Sequence, residues 1–157
     1  MAIEIERKFL INKHLWEKAK KPKGEKIMQA YLSSSPESTV RVRSKGNKGY
    51  LTVKGKSTGI SRVEYEYEIP ISDVKKMINT LNLSCIEKIR YEIKIGNHIW
   101  EIDEFHGENS GLIVAEIELS NESELFEKPI WILDEVSDDI KYYNSQLLKH
   151  PFKQWKK

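Results

Sequence analysis

The first ten residues, Met-Ala-Ile-Glu-Ile-Glu-Arg-Lys-Phe-Leu, alternate so strictly that they suit little other than a two-faced strand. Glu4, Glu6 and Lys8 fall on one side, and Ile3, Ile5 and Phe9 on the other. Carboxylates at i and i+2 sit roughly 6.5–7 Å apart, two rises of the pleat. In a partly buried setting they repel by about 2–3 kcal/mol at an effective dielectric of about 20. The polar side of such a strand therefore needs either bulk water or a cation. One strand alone does not choose between them.

The choice is narrowed because the arrangement recurs. Seven further segments, 26–33, 38–45, 49–56, 62–69, 85–95, 98–105 and 112–119, read as strands. Arg41 and Arg43 share a face against Val40 and Val42, and Lys54 lies with Thr52 against Leu51 and Val53. Glu64, Glu66 and Glu68 alternate with Val63, Tyr65, Tyr67 and Ile69, and Lys88 and Arg90 with Ile89 and Tyr91. Glu101 and Asp103 oppose Trp100 and Ile102, and Glu116 and Glu118 oppose Ala115, Ile117 and Leu119. Lys45–Gly49 and Gly96-Asn97 carry turn residues that close hairpins. Gly55 to Ser61 reads as a flexible loop.

Three segments read as helices. Residues 12–20 start at a capping Asn12, and residues 72–82 start at Ser72 with Val74, Met77, Ile78 and Leu81 in one stripe. Residues 137–149 place Ile140, Tyr143, Leu147 and Leu148 together, with Ser137 or Asp138 as cap and Pro151 as terminator. Residues 120–134 read as a connection.

An open antiparallel sheet with its charges in water is the plain interpretation of any one strand. Taken together, the strands argue otherwise. A solvated face ordinarily mixes Thr, Ser, Gln and Lys, whereas here acids gather on some strands and Arg/Lys pairs on others. The apolar faces are large, and three helical stripes also need cover. Closing the sheet with charges inward and helices outside meets both demands. Such a lumen needs anions for its arginines and a cation for its carboxylates, and a metal-bound polyphosphate supplies both.

Composition agrees and excludes much else. With 157 residues, 39% of them hydrophobic, the chain suffices for one domain spanning 1–157. It has no apolar run of membrane-spanning length and no secretory signal pattern, so no membrane association is expected. The single Cys85 precludes an internal disulfide and suits a cytoplasmic location. His14, His98, His106 and His150 lack metal-ligand spacing. A net charge of +2, with bases alternating with acids, leaves no continuous stripe for nucleic acid. A homodimer is allowed, although no interface can be read.

The ordered set of motifs resembles the CYTH domain of the triphosphate tunnel metalloenzyme superfamily. It begins with Glu4-x-Glu6-x-Lys8 and continues with Arg41-x-Arg43, Thr52-x-Lys54, Glu64-x-Glu66 and Lys88-x-Arg90-Tyr91. Glu101-x-Asp103, Glu116-x-Glu118 and the stretch from Glu135 to Asn144 complete it, so the likeness covers residues 2 to about 148. The resemblance implies an α+β fold: a closed eight-stranded antiparallel β-barrel, or tunnel, with a charged interior and helices packed outside. It also implies metal-dependent hydrolysis of inorganic triphosphate, with nucleoside triphosphates as further substrates, by in-line attack of water. Mg²⁺ or Mn²⁺ is the expected ion, because the donors are carboxylate oxygens. Glu4, Glu6 and Glu118 are the expected metal ligands, and Arg41, Arg43, Lys54, Lys88, Arg90 and Lys8 the expected phosphate ligands. Lys8 and Glu116 are the candidate catalytic residues. Lys8 would serve as base if crowded cations lowered its pKa, with a second metal the alternative; Glu116 would bind that second ion or orient water. Glu64, Glu66, Glu101 and Asp103 either join the ligands directly or neutralise the tunnel bases. Two rival functions stay open: a class IV adenylate cyclase making cyclic AMP from ATP, and a non-catalytic polyphosphate or nucleotide binder.

Other features take plain interpretations. Gly55-Lys56-Ser57 lacks the earlier glycine of a phosphate loop, since Tyr50 stands there. Tyr65, Tyr67, Tyr91 and Trp100 are expected to pack under helices, and Lys153, Lys156 and Lys157 to form a solvated end.

Overall fold

Alternation of charged and apolar side chains along nearly every strand leaves the sheet with one face to bury against helices and one that must close on itself. The computed structural model describes residues 3–156 and shows that closure; Met1, Ala2 and Lys157 lie outside the described residues. The strands are β1 (Ile3–Ile11), β2 (Glu25–Ser34), β3 (Ser38–Lys45), β4 (Lys48–Gly55), β5 (Ser61–Ile69), β6 (Cys85–Ile95), β7 (His98–Phe105), β8 (Ile113–Glu118) and β9 (Ile132–Glu135). The order β5-β4-β3-β2-β6-β7-β8-β1 returns to β5, giving eight antiparallel staves in a closed barrel, with β9 added beside β1.

The seam between β1 and β5 is short. It consists of Ile3 against Val63, Glu4 against Arg62 and Ile5 against Ser61, extended by the Glu6 amide donating to the Ile60 carbonyl at 3.2 Å. Beyond it the same edge of β1 is taken up by β9, through Phe9 against Glu135 and Ile11 against Ile132. Residues 120–134 are thus not wholly a connection, because their end supplies a strand to an otherwise unpaired edge. Two hairpins turn on two residues, where Gly46 and Gly96 take φ of +59° and +62°, a region that disfavours any side chain.

Outside the barrel, α1 (Lys13–Lys18) and the 120–132 segment cover the β1, β6, β7 and β8 faces. Asn12 caps α1 by accepting from the Leu15 amide. Phe9, Trp16, Trp100, Ile102, Ile117 and Trp131 fill that interface, and Trp16 Nε1 donates to Glu104 at 2.8 Å. Truncating any of these three buried tryptophans to Ala should cost about 3–5 kcal/mol. Helix α2 (Ile71–Thr80) lays Val74 on Ala30 and Val42, with Met77 and Ile78 beside it. It starts directly after Pro70, so Ser72 lies in its first turn rather than capping it.

The third helical region departs from the periodicity reading. Instead of one helix over 137–149, a 3₁₀ turn at Ile140–Tyr142 is capped by Asp139, and α3 spans only Asn144–Lys149. Tyr143, extended at φ −69° and ψ 136°, separates the two. The break lets Tyr142 and Leu147 enter one apolar cluster with Ile86, Phe105, Val114 and Val136. Leu10, Ile86, Phe105 and Val114 share strand parity with Lys8, Lys88, Asp103 and Glu116, so this cluster closes one end of the lumen. Hence α1 and α2 pack outside the barrel, while α3 plugs it. Tyr91 does lie against Trp16 of α1, and Trp100 lies under Phe126 and Trp131. Tyr65 and Tyr67, by contrast, are 40% and 59% exposed on the outer face of β5, where only Ile69 packs into the α2 cluster.

Candidate functional site

Strand parity directs Glu4, Glu6, Lys8, Arg41, Arg43, Lys54, Glu64, Glu66, Lys88, Arg90, Glu101, Glu116 and Glu118 into one cavity of about 260 Å³. The expected site residues thus converge, and Asp103 lies directly behind them, bound to Arg90. The cavity is polarised. Glu4 and Glu6 on β1 and Glu116 and Glu118 on β8 form an acidic wall with Glu64 and Glu101 beside it, and Arg41, Arg43, Lys88 and Arg90 a basic one.

On the acidic wall, Glu6 stands opposite Glu118 across the β1–β8 ladder, and Lys8 opposite Glu116. Like charges directly opposite one another are destabilising. Burial, then Glu116 and Glu4, hold the Glu6 carboxyl well above the usual carboxylate range. Glu116 is held well below it: burial works the other way, but Lys8, a hydrogen bond from Glu6 and Arg90 outweigh it. Burial, followed by Glu4 and Glu64, also raises Glu118. Glu4 is raised by burial despite Lys54, whose Nζ donates to it at 3.0 and 3.2 Å. Among the described residues neither Glu6 nor Glu118 has a cation within ion-pair distance. Nor are three acidic, His or Cys side chains drawn together as a metal site among them. Crowded carboxylate oxygens whose charged forms are disfavoured by burial and by one another nevertheless suit a hard divalent cation, which would relieve that repulsion.

The basic wall has the complementary surplus. Arg43 Nε donates to Gln29 Oε1 at 3.0 Å and meets no carboxylate within ion-pair distance among the described residues. Burial, Arg41 and Arg90 lower its pKa from 12.5 to about 9. Arg41 donates to Thr52 Oγ1 at 3.2 Å and lies 3.6 Å from Glu66, while its buried Nε has no partner. An unpaired buried guanidinium N–H costs about 1–3 kcal/mol, so these arginines lack an anion.

Arg90 is already saturated: its fork closes on Asp103 at 2.8 and 2.9 Å, and it also reaches Glu101 at 3.0 Å and Glu116 at 3.1 Å. Asp103 is lowered by Arg90 and Lys88 against the effect of its burial. It and Glu101 thus act in the free protein as counter-charges to the bases. Lys54 similarly bridges Glu4 and Glu64, at 3.0 and 3.2 Å.

The two lysines of the lumen floor differ. The condition for Lys8 to serve as base, crowding by cations, is not what surrounds it. Burial opposes its charge, but Glu116, 3.4 Å away, and Glu6 outweigh burial and raise its pKa. The loosened proton belongs to Lys88, lowered from 10.5 to about 7 by burial, Arg90 and Arg43 in spite of Asp103. Several lining residues escape the sequence reading, among them Tyr31, Tyr50, Arg62, Tyr143 and Asn144, as does Gln29, buried behind the lining against Arg43. Gln29 and Tyr31 could have been found from the parity of β2. Asn144 could not, because its segment reads as an outer helix.

A closed antiparallel barrel with a basic wall facing a crowded acidic one defines a charged tunnel. The CYTH domain family matches residues 2–147, and the chain belongs to that family. It is 46% identical over 157 residues to the inorganic triphosphatase of Acetivibrio thermocellus, covering 99% of both chains. It is 33% identical over 152 residues to the inorganic triphosphatase of Nitrosomonas europaea, covering 92% of this chain and 95% of that one. The solved structure of an inorganic triphosphatase superposes with a TM-score of 0.62 at 29% identity, over 94% of this chain and 95% of the other. A Pyrococcus horikoshii protein shares the fold at 21% identity, with a TM-score of 0.58 over 76% of this chain and 79% of its own.

Proposed function

We propose that this protein is a divalent-metal-dependent inorganic triphosphatase. The observation that carries the reading is the pair of buried arginine donors, Arg41 Nε without a partner and Arg43 without a carboxylate, facing an acidic wall whose carboxylates stand against one another across the β1–β8 ladder. Whole-length likeness to two inorganic triphosphatases supports the choice of reaction. Apart from Ile60 and the tyrosines, the lining offers little apolar surface for a nucleoside base, which disfavours the cyclase.

In this reading Arg41 and Arg43 clasp the phosphate chain with planar forks, and Lys54, Lys88 and Arg90 add charge along it. Glu4, Glu6 and Glu118 would hold Mg²⁺ or Mn²⁺, which would supply charge to the phosphate oxygens and polarise a water. Glu116, kept ionised by Lys8 and Arg90, accepts a hydrogen bond from the attacking water and orients it. Lys8 stays protonated and stabilises charge on the phosphoryl group during in-line displacement. Glu64, Glu66, Glu101 and Asp103 keep the bases neutralised and in place until substrate arrives. The lone Cys85 supports a reducing, cytoplasmic setting.

Phosphate release from inorganic triphosphate and from ATP, measured side by side with and without Mg²⁺, tests the proposal. Fast metal-dependent release preferring inorganic triphosphate is expected. Absence of release from either would overturn it, and cyclic AMP from ATP would replace it with the cyclase.

A further inference from the structure

The plug made by the C-terminal segment is apolar where it meets the barrel staves, but Tyr143, Asn144 and Ser145 at its inner end line the lumen. Asn144, the first residue of α3, accepts a hydrogen bond from Lys88 Nζ at 3.0 Å, through its side-chain carbonyl. Lys88 Nζ also donates to Asp103 Oδ2 at 2.8 Å and lies 5.5 Å from the Phe105 ring centroid. An ammonium has three hydrogens, so these two acceptors leave one for the lumen. Asp103 belongs to the neighbouring stave, whereas Asn144 comes from the plug, 56 residues further along the chain.

We infer that Asn144 is a positioning residue for triphosphate hydrolysis, holding the Lys88 ammonium so that its remaining hydrogen faces the substrate phosphate. The inference rests on the triphosphatase reading above. An amide suits this task. It orients the cation without cancelling its charge, whereas a carboxylate there would compete with phosphate and an alkyl group would leave the ammonium free to swing. The charged groups facing Lys88 are Asp103 on β7, Arg90 on β6, Arg43 on β3 and Glu116 on β8, and α3 contributes only the neutral amide. Because the acceptor sits on the plug, seating of the C-terminal segment and aim of a substrate-binding lysine are one event.

The test compares Asn144→Leu and Asn144→Asp with the wild type in the full chain. Three quantities are measured: thermal midpoint, pH dependence of kcat/KM with inorganic triphosphate and Mg²⁺, and titration of Lys88 Nζ by NMR on ¹⁵N-lysine protein. Lys88→Arg supplies the NMR assignment. In Asn144→Leu, kcat should fall roughly tenfold, the worth of one oriented charge-assisted hydrogen bond, with KM changed less. The Lys88 titration, near 7 in the wild type, should move down by about one unit as the cation loses an acceptor. Asn144→Asp should move it above the wild-type value and raise KM. A role in plug stability alone predicts a lower thermal midpoint with the Lys88 titration and the pH profile unmoved, which would overturn the inference. Unchanged kcat in Asn144→Leu would do the same. A wild type inactive on inorganic triphosphate would instead sink the functional reading, while the titration still decides whether Asn144 holds Lys88.

Discussion

Replacing Arg43 by Met should stabilise the free protein and ruin its grip on phosphate. Confinement lowers the Arg43 pKa from 12.5 to about 9. A fall of about 3.5 units corresponds to roughly 5 kcal/mol disfavouring the charged form at 1.36 kcal/mol per unit. Relaxation and water penetration reduce such penalties, and about half is a reasonable remainder. Because the folded pKa is depressed for a base, this cost is fully present below pH about 9 and is relieved only above it. At neutral pH, Arg43→Met removes it and in return leaves Gln29 Oε1 without a donor, a loss of about 1 kcal/mol. The net gain, on the order of 1–2 kcal/mol, should raise the thermal midpoint by roughly 2–8 °C. Affinity should move the other way. Losing a charge-assisted hydrogen bond worth about 1.5–3 kcal/mol weakens inorganic triphosphate binding by about 10–150-fold. Thermal unfolding with and without inorganic triphosphate, together with titration calorimetry, reads both terms. A variant that melts lower than wild type yet binds with unchanged Kd would refute the idea that this guanidinium is held ready for an anion.

Glu6→Gln should lower metal-stimulated phosphate release at least tenfold to hundredfold. A raised carboxyl pKa in the fold means that wild-type stability declines as pH climbs from the ordinary carboxylate range through the folded value; denaturant melts at pH 5 and pH 8 should show this decline vanish in the variant. Lys88 has the opposite sign: its cation destabilises the fold below pH about 7, so wild-type stability should rise between there and pH about 10.5, and Lys88→Met should flatten that rise. Asn12→Ala removes the side-chain cap of α1 and should cost about 1 kcal/mol, read as a thermal midpoint roughly 2–4 °C lower.

Parity along each strand is a local property, and it carried most of the site. Glu4, Glu6 and Lys8 face the lumen because every second residue must, and the same holds for Arg41 with Arg43 and for Lys88 with Arg90. Which charge meets which is not local. That Arg90 closes its fork on Asp103 while Arg43 finds only Gln29 depends on register and stagger around the barrel, which no single strand encodes. Strand β9 was hidden because four residues, two of them acidic, form a strand here only by meeting a vacant edge of β1. The broken C-terminal helix was hidden for a related reason. Residues 137–149 contain no proline or glycine, and the kink at Tyr143 comes from seating Tyr142 and Leu147 in the plug.

The seam between β1 and β5 also bears on how the molecule assembles. Staves β2, β3, β4 and β5 form a meander of successive hairpin-like pairings, as do β6, β7 and β8, so both can form from near neighbours in the chain. Strand β1 must instead find Val63 and Glu118, so its pairings close loops of about 60 and 112 residues. Its docking is therefore the step of highest contact order and the natural candidate for the last slow event of folding. Because that strand also carries Glu4, Glu6 and Lys8, a chain stalled before it docks has its basic wall but only part of its acidic one. Such an intermediate would scavenge phosphate chains without hydrolysing them, and gain of activity during refolding should coincide with barrel closure rather than precede it.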